Sequence, residues 1–387
     1  MAGAGRGTFS PVLPRHVYVH VPFCARRCAY CDFAIAVRPR VPVDEYVGAL
    51  RAELTVRLGP PPASADRAVA STLYLGGGTP SRLGGDGVAR AIDVVRAWYE
   101  LAPDAEVTVE ANPDDVSADA VAAWRAAGVN RLSLGGQTFD PRALAWMHRT
   151  HDADQVPRAV ETARAAGLDD LSLDLIFALP DAVPRDWAAD VAQALALEPT
   201  HLSLYGLTVE PGTPLGRWAD RGQVAEADED RYAREFLHAH EALAAAGLEH
   251  YEVSNFARPG RRARHNSAYW SGAPYLGLGP SAHGFDGEER RWNAPAYAAW
   301  ARAAASGCDP VAGRESLDEG ARTAESVYLG LRTDGGLALA PDELSRAARW
   351  VAAGWGVLES GRLRLTPLGW LRLDALAADL TALRSRS

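Results

Sequence analysis

Residues 18–33 read YVHVPFCARRCAYCDF, a β-branched run that breaks at Pro22 into three cysteines, Cys24, Cys28 and Cys31. The spacing is C-x3-C-x2-C. One loop with this spacing can wrap three corners of a cuboidal iron–sulfur cluster, whose usual ligands are thiolates. Three ligands for four irons leave one iron open. An open iron can chelate the amino and carboxylate groups of S-adenosylmethionine, and an electron from the cluster can then break the sulfonium S–C bond to release a 5′-deoxyadenosyl radical. The competing readings are a zinc site and three ordinary buried cysteines. Zinc wants four ligands, and no fourth Cys or His stands at finger spacing. The chain has 4 cysteines, and the last, Cys308, lies far off. It reads as a plain small residue, because a closed cluster could not chelate the cofactor.

Working outward from the cysteines, short apolar runs alternate with helical patterns at about 30 residues per unit, as repeated βα units do. Strands are expected at 17–21, 72–75, 106–109, 131–134, 171–175 and 201–205. Helices are expected at 43–57, 87–99, 118–127, 155–166, 184–197 and 228–246. Six units predict an α/β fold with a parallel barrel, partial or complete. Chemistry in such barrels sits at the C-terminal ends of the strands. The cysteines follow the first strand, Gly76–Pro80 the second, Glu110 and Asn112 the third, and Gln137 the fourth. Beyond residue 247 the pattern changes to Gly-, Pro-, Tyr- and Trp-rich irregular structure over 248–300. A linker is expected at 301–315. A small, mostly helical, winged-helix-like domain is expected at 316–387, with a strand pair near 356–365. Two domains suit 387 residues, since single cores stop growing near roughly 250–300. The core barrel is assigned to 16–247 and an N-terminal tail to 1–15.

Composition narrows the function. A net charge of −9 disfavours a broad nucleic-acid surface, which needs a basic face. No stretch approaches 18 uninterrupted apolar residues, so no membrane span is expected. Residues 1–10 lack an apolar signal core. Three crowded cysteines read as a metal site in a reducing compartment rather than a disulfide scaffold. A cytoplasmic location is expected.

The strand ends supply the remaining candidates. The three glycines of Gly76-Gly-Gly-Thr-Pro80 permit close backbone approach, with free N–H and C=O groups to grip the methionine end of the cofactor. The pattern is not G-x-G-x-x-G, so no dinucleotide fingerprint is supported. Glu110 can hold a ribose diol through two hydrogen bonds, or is an exposed acid before a helix. Gln137 and Asp174 are further strand-end polar residues, and Arg149 can pair with a carboxylate. Helix capping or surface contacts compete for each of these three.

Together these segments resemble one branch of the radical-SAM superfamily: oxygen-independent coproporphyrinogen III oxidase and the HemW-type haem chaperones. The resemblance runs through YVHVPFCARRCAYCDF, LYLGGGTPSRL, EANP, NRLSLGGQTFD, MHRTH, DLIFALP, LSLYGLTVEPGTP, HYEVSNFARPG and RHNSAYW, nearly the whole chain. It implies a partial (β/α)6 barrel and a [4Fe–4S] cluster on Cys24, Cys28 and Cys31. It also implies S-adenosylmethionine contacts from Tyr18, Tyr30, Gly77, Gly78, Thr79, Glu110, Gln137, Arg149 and Asp174, with Thr208 weaker.

Three departures favour the chaperones. The oxidase motif has another cysteine where Phe33 stands. The oxidase carries a longer N-terminal segment. His265-Asn266-Ser-Ala-Tyr269 matches the H-N-x-x-Y motif that the chaperone branch uses for haem. A neutral imidazole is a good axial ligand, so His265, Asn266 and Tyr269 are the expected haem residues. Arg258, Arg261, Arg262 and Arg264 stand ready for propionates, and Trp270 and Tyr275 for the macrocycle. The competing reading is a basic loop around a satisfied structural histidine; His250 and His283 rank behind His265. The resemblance implies haem delivery to acceptor haemoproteins, with an electron donor as a further partner. The alternative is oxidative decarboxylation of coproporphyrinogen III.

Overall fold

Alternation along the strands divides the barrel into two chemistries. The computed structural model describes residues 13–385. Its first six long strands are β1 (His16–Val21), β2 (Ala68–Gly77), β3 (Tyr99–Ala111), β4 (Arg131–Gln137), β5 (Asp170–Phe177) and β6 (His201–Gly206). Neighbours pair in parallel from β1 through β6. One phase carries Val17, Val19, Leu73, Leu75, Val107, Val109, Leu132, Leu134, Leu171, Leu173 and Leu202, all buried. The opposite phase carries Tyr18, His20, Tyr74, Glu110, Ser133, Asp174 and Ser203. The apolar phase builds the main core with residues of the surrounding helices, Val43–Leu58, Gly84–Arg96, Ala118–Ala126, Gln155–Ala165, Trp187–Ala196 and Glu229–Ala245. The polar phase is left for the lumen.

Six further strands extend the sheet: β7 (Glu249–Glu252), β8 (Asn255–Ala257), β9 (Tyr275–Leu278), β10 (His283–Phe285), β11 (Glu289–Asn293) and β12 (Val311–Ser316). The 12-stranded order is β12-β11-β10-β9-β1-β2-β3-β4-β5-β6-β8-β7. The barrel is therefore partial, as expected, and both of its edges are occupied. β9 runs parallel to β1 and β8 antiparallel to β6. Glu53, fully buried on the first helix, fastens the extension to the barrel. It accepts from Arg57 (3.1 Å), Gly279 N–H (2.9 Å), Asn293 (2.7 Å) and Trp300 (2.8 Å).

The C-terminal region packs helices Glu319–Arg332, Leu344–Ala352 and Leu373–Arg384 with a small sheet of Leu337–Ala338, Gly356–Glu359 and Arg362–Leu365. Arg332 pairs with buried Glu252 of β7 at 3.0 Å, tying this region to the barrel. Two segments differ from the sequence expectation. The helix expected to reach residue 99 stops at Arg96, because Trp98 and Tyr99 turn into the core and β3 begins at Tyr99. The stretch 301–315, expected as a linker, is mostly the end of helix Tyr297–Ala305 and strand β12, which pairs with β11. Its alanines read as a spacer but pack as a helix: Trp300, Ala301 and Ala304 are buried. Residues 1–12 of the expected tail lie outside the described residues. Among the described residues no helix is long and apolar enough to cross a membrane.

Candidate functional site

The loop after β1 is tied down before it presents its cysteines. Phe23–Cys24 pairs in parallel with Ala36–Val37. Ala29 N–H donates to the Met147 carbonyl (3.0 Å), and Leu215 N–H donates to the Ala29 carbonyl (2.8 Å). Cys24, Cys28 and Cys31 thereby line one cavity of about 330 Å³ with Tyr30, Gly77, Gly78, Thr79, Glu110, Gln137, Arg149, Asp174 and Thr208. The cavity lies at the C-terminal mouth of the barrel, where sequence spacing placed it. Glu110 is no exposed acid. It accepts from Tyr74 OH (2.7 Å) and Gly77 N–H (3.0 Å). Asp174 accepts from Ser133 at 3.1 Å.

The donor set fits a cluster. Cys24 Sγ lies 3.4 Å from Thr79 Oγ1, and Arg149 donates toward Cys28 Sγ at 3.5 Å. Arg149 is also held by Asn112 Oδ1 (2.7 Å) and the Gly135 carbonyl (2.6 Å). Burial pushes the Cys24 thiol up and the Cys31 thiol to about 11. A bound iron would ionise these thiols outright. Among the described residues no three side chains converge as ligands on a single ion. Cluster thiolates each hold a different iron, so they need no such convergence. Gly78 fits this cradle by lacking a side chain: a Cβ there would come within 2.7 Å of the Pro22 backbone.

Burial raises the Glu110 carboxyl to about 7, with the nearby Asp174 adding to the rise and the Tyr74 and Gly77 hydrogen bonds opposing it. Burial likewise lifts Asp174 to about 6. Gln137 (φ 67°) and His148 (φ 60°) hold left-handed backbone, at roughly 1–2 kcal/mol each for a non-glycine residue. Both line the cavity. Strain persists where the surroundings enforce it, often at binding sites. Sequence reasoning placed Asn112 at the right strand end without assigning it a role, and it missed His148 and Ser133. Asn112 and Ser133 are legible only as inward-phase or strand-end polar residues; His148 carries no local signal.

A second cavity, of about 630 Å³, shares Phe33, Gly77 and Glu110 with the first. Tyr18, expected at the cofactor, lines this second cavity instead, with its hydroxyl 3.1 Å from His20 Nδ1. Tyr269 and Trp270 line it as well, but Asn266 lines neither cavity. His265 does not reach it. Its Nδ1 bonds Thr72 Oγ1 (2.7 Å), its Nε2 bonds Tyr269 OH (2.8 Å), and the residue is 1 % exposed. Burial lowers its pKa to about 3. Helix Arg264–Trp270 enters at the opposite end of the barrel: Arg264 and His265 N–H groups donate to Glu106, which stands level with Thr72 and with His16 at the start of β1. Both ring nitrogens of His265, the expected haem ligand, are thus hydrogen-bonded within the barrel in this structure. The arginines before it are spent on acids and carbonyls: Arg258 on the Pro199 carbonyl, Arg261 on Asp170, Arg262 on Glu249 and Asp334, and Arg264 on Asp104.

Residues 18–194, which include the cysteine loop, match the Radical SAM superfamily. The "heme chaperone HemW" of Mycobacterium tuberculosis is 41% identical over 376 residues, 96% of this chain and 95% of that protein. The protein of the same name from Escherichia coli is 40% identical over 272 residues, 70% of each chain. Among solved structures, E. coli coproporphyrinogen III oxidase superposes with a TM-score of 0.78 at 22% identity, covering 95% of this chain and 90% of that one. That likeness speaks for the fold alone. Sequence similarity sustained over nearly the full length of both chains places this chain in the HemW family of the Radical SAM superfamily.

Proposed function

We propose that this chain is a haem chaperone: it holds a [4Fe–4S] cluster on Cys24, Cys28 and Cys31, binds S-adenosylmethionine, and carries haem to acceptor haemoproteins. The observation that carries the reading is the pair of cavities sharing the wall of Phe33, Gly77 and Glu110. One has the thiols and polar groups a cluster and its cofactor need. The other is larger and rimmed by aromatic rings. Phe33, standing where the oxidase motif carries a cysteine, is 57% exposed at the junction. The names of the relatives point the same way.

In this reading Thr79 and Arg149 brace the cysteine sulfurs. Tyr30, Gly77, Gly78, Gln137 and Asp174 surround S-adenosylmethionine, and the Glu110 carboxylate accepts from its ribose. The cluster and S-adenosylmethionine together supply one-electron chemistry. Tyr269 faces the haem, and His265 positions the Tyr269 hydroxyl from within the barrel. The three thiols suit a reducing compartment, and we place the protein in the cytoplasm.

The test is product analysis on anaerobically reconstituted protein with S-adenosylmethionine, a reductant and coproporphyrinogen III. The chaperone reading expects no decarboxylated porphyrin from protein that keeps its cluster and retains added haem. Protoporphyrin above a Cys28→Ser control would instead make it the oxidase.

A further inference from the structure

Resting on the cluster assignment above, we propose that the surface over the cysteine loop, formed by Arg26, Arg27, Phe33, Val37, Arg38 and Arg40, docks a small acidic one-electron carrier protein. Residues 22–42 carry four arginines and a single acid, Asp32, in a chain whose net charge is −9. All four arginines are exposed. Among the described residues none of them forms an ion pair: Arg27 donates to the Cys31 carbonyl (3.1 Å) and Arg38 to the Val37 carbonyl (3.0 Å). Local topology brings the four together. Phe23–Cys24 and Ala36–Val37 run parallel, with Cys24 level with Val37, so both segments leave this ribbon at the same end. Arg26 and Arg27 follow one of them, Arg38 and Arg40 the other. Arg38 N–H closes the junction on the Cys24 carbonyl at 3.1 Å.

The patch has the anatomy of a protein interface, an apolar centre in a charged rim where aromatic residues and arginines carry the contacts. Phe33 (57% exposed) and Val37 (41% exposed) supply the centre. So small an area suits a transient encounter, the kind electron-transfer partners make. Its place decides the partner. Arg26 and Phe33 line the first cavity, and Cys28 and Cys31 are only partly buried. Burial raises the Cys24 and Cys31 thiols, and the Arg27 charge opposes the rise in both. A partner seated on these arginines therefore stands on the cysteine loop itself. Acidic side chains on the partner would answer the four unpaired guanidinium groups, and the negative charge of the rest of this chain would turn it away from other faces. One electron leaves the reduced centre of the carrier, which is oxidised, and the cluster is reduced by it. No bond changes and no proton moves.

The probe is an acidic plant-type [2Fe–2S] ferredoxin, reduced anaerobically and freed of excess reductant. Its affinity for the full chain, and the rate at which it reduces the reconstituted cluster, are measured at low and high salt in wild type, Arg38→Glu/Arg40→Glu and Arg349→Glu. Arg38 and Arg40 line neither cavity, and Arg349 is an exposed arginine on helix Leu344–Ala352. Wild-type binding is expected to weaken steeply with salt. Arg38→Glu/Arg40→Glu is expected to weaken binding and slow reduction at least about tenfold at low salt, the lower end of electrostatic steering. Its cluster absorption, its reduction by dithionite and its retention of added haem are expected to match wild type. Arg349→Glu is expected to behave as wild type throughout. Unchanged affinity in Arg38→Glu/Arg40→Glu, an equal loss in Arg349→Glu, or a wild type that does not bind the ferredoxin overturns the docking assignment. Loss of haem retention in Arg38→Glu/Arg40→Glu overturns it too and gives these arginines to the propionates. A reconstituted wild type without a [4Fe–4S] signal overturns the cluster assignment itself.

Discussion

Glu110 sets ligand binding against stability. Its folded pKa of about 7 lies above an ordinary carboxyl near 4.3. The native state therefore favours the protonated form. That advantage is complete at low pH and is lost as pH rises through about 7. A carboxylate that accepts from two ribose hydroxyls must be ionised, so S-adenosylmethionine affinity should fall as pH drops below about 7. Glu110→Gln should lose that affinity, yet melt higher than wild type at pH 8 without the cofactor. The gap should narrow as pH falls below about 7 and close only below about pH 4. A lower melting temperature for the variant at pH 8 would show that the carboxylate is not under strain. At the cysteines, Cys28→Ser should abolish the broad visible absorption of the reconstituted cluster, and a surviving [4Fe–4S] signal would remove Cys28 from the ligands. These residues were legible in the sequence because spacing after a strand is a local property. The placement of His265 was not legible, because a motif does not say which end of a barrel its helix enters. Here Glu106 draws the helix N-terminus to the end opposite the cysteines.

At the scale of elements, the six βα units were legible from apolar periodicity, which also explains what was missed. The strands β7 to β12 are only 3 to 6 residues long, so they carry little periodic signal. Their pairing is set by close backbone approach instead. Gly277→Ala should show this, because the added Cβ would overlap the His283 carbonyl. Overpacking of this kind costs about 1–3 kcal/mol, sometimes more. The expected outcome is a lower melting temperature with the cluster absorption of the reconstituted protein intact. No change in melting would mean that β9 and β10 separate freely.

At the scale of the whole molecule, one buried carboxylate joins segments far apart in sequence. Glu53 answers four donors from the first helix, the β9–β10 turn, β11 and helix Tyr297–Ala305. Glu53→Ala should cost about 3–5 kcal/mol, as removing one partner of a buried ion pair does, read as a lower denaturation midpoint. A change under about 1 kcal/mol would show that these segments hold together by packing alone. None of this was visible beforehand, since a lone Glu in a helix reads as a surface residue. The arrangement of edges also constrains how the chain is made. β1 leaves the ribosome first, but its outer neighbour β9 begins only at Tyr275, and β6 waits for β8 at Asn255. At 5–20 residues per second, β1 goes roughly ten seconds or more without that partner. Throughout that interval the nascent barrel offers an unpaired edge to other chains, a template for aggregation. Abundance in the cell should therefore depend on chaperone capacity during translation more steeply than the stability of the finished protein suggests.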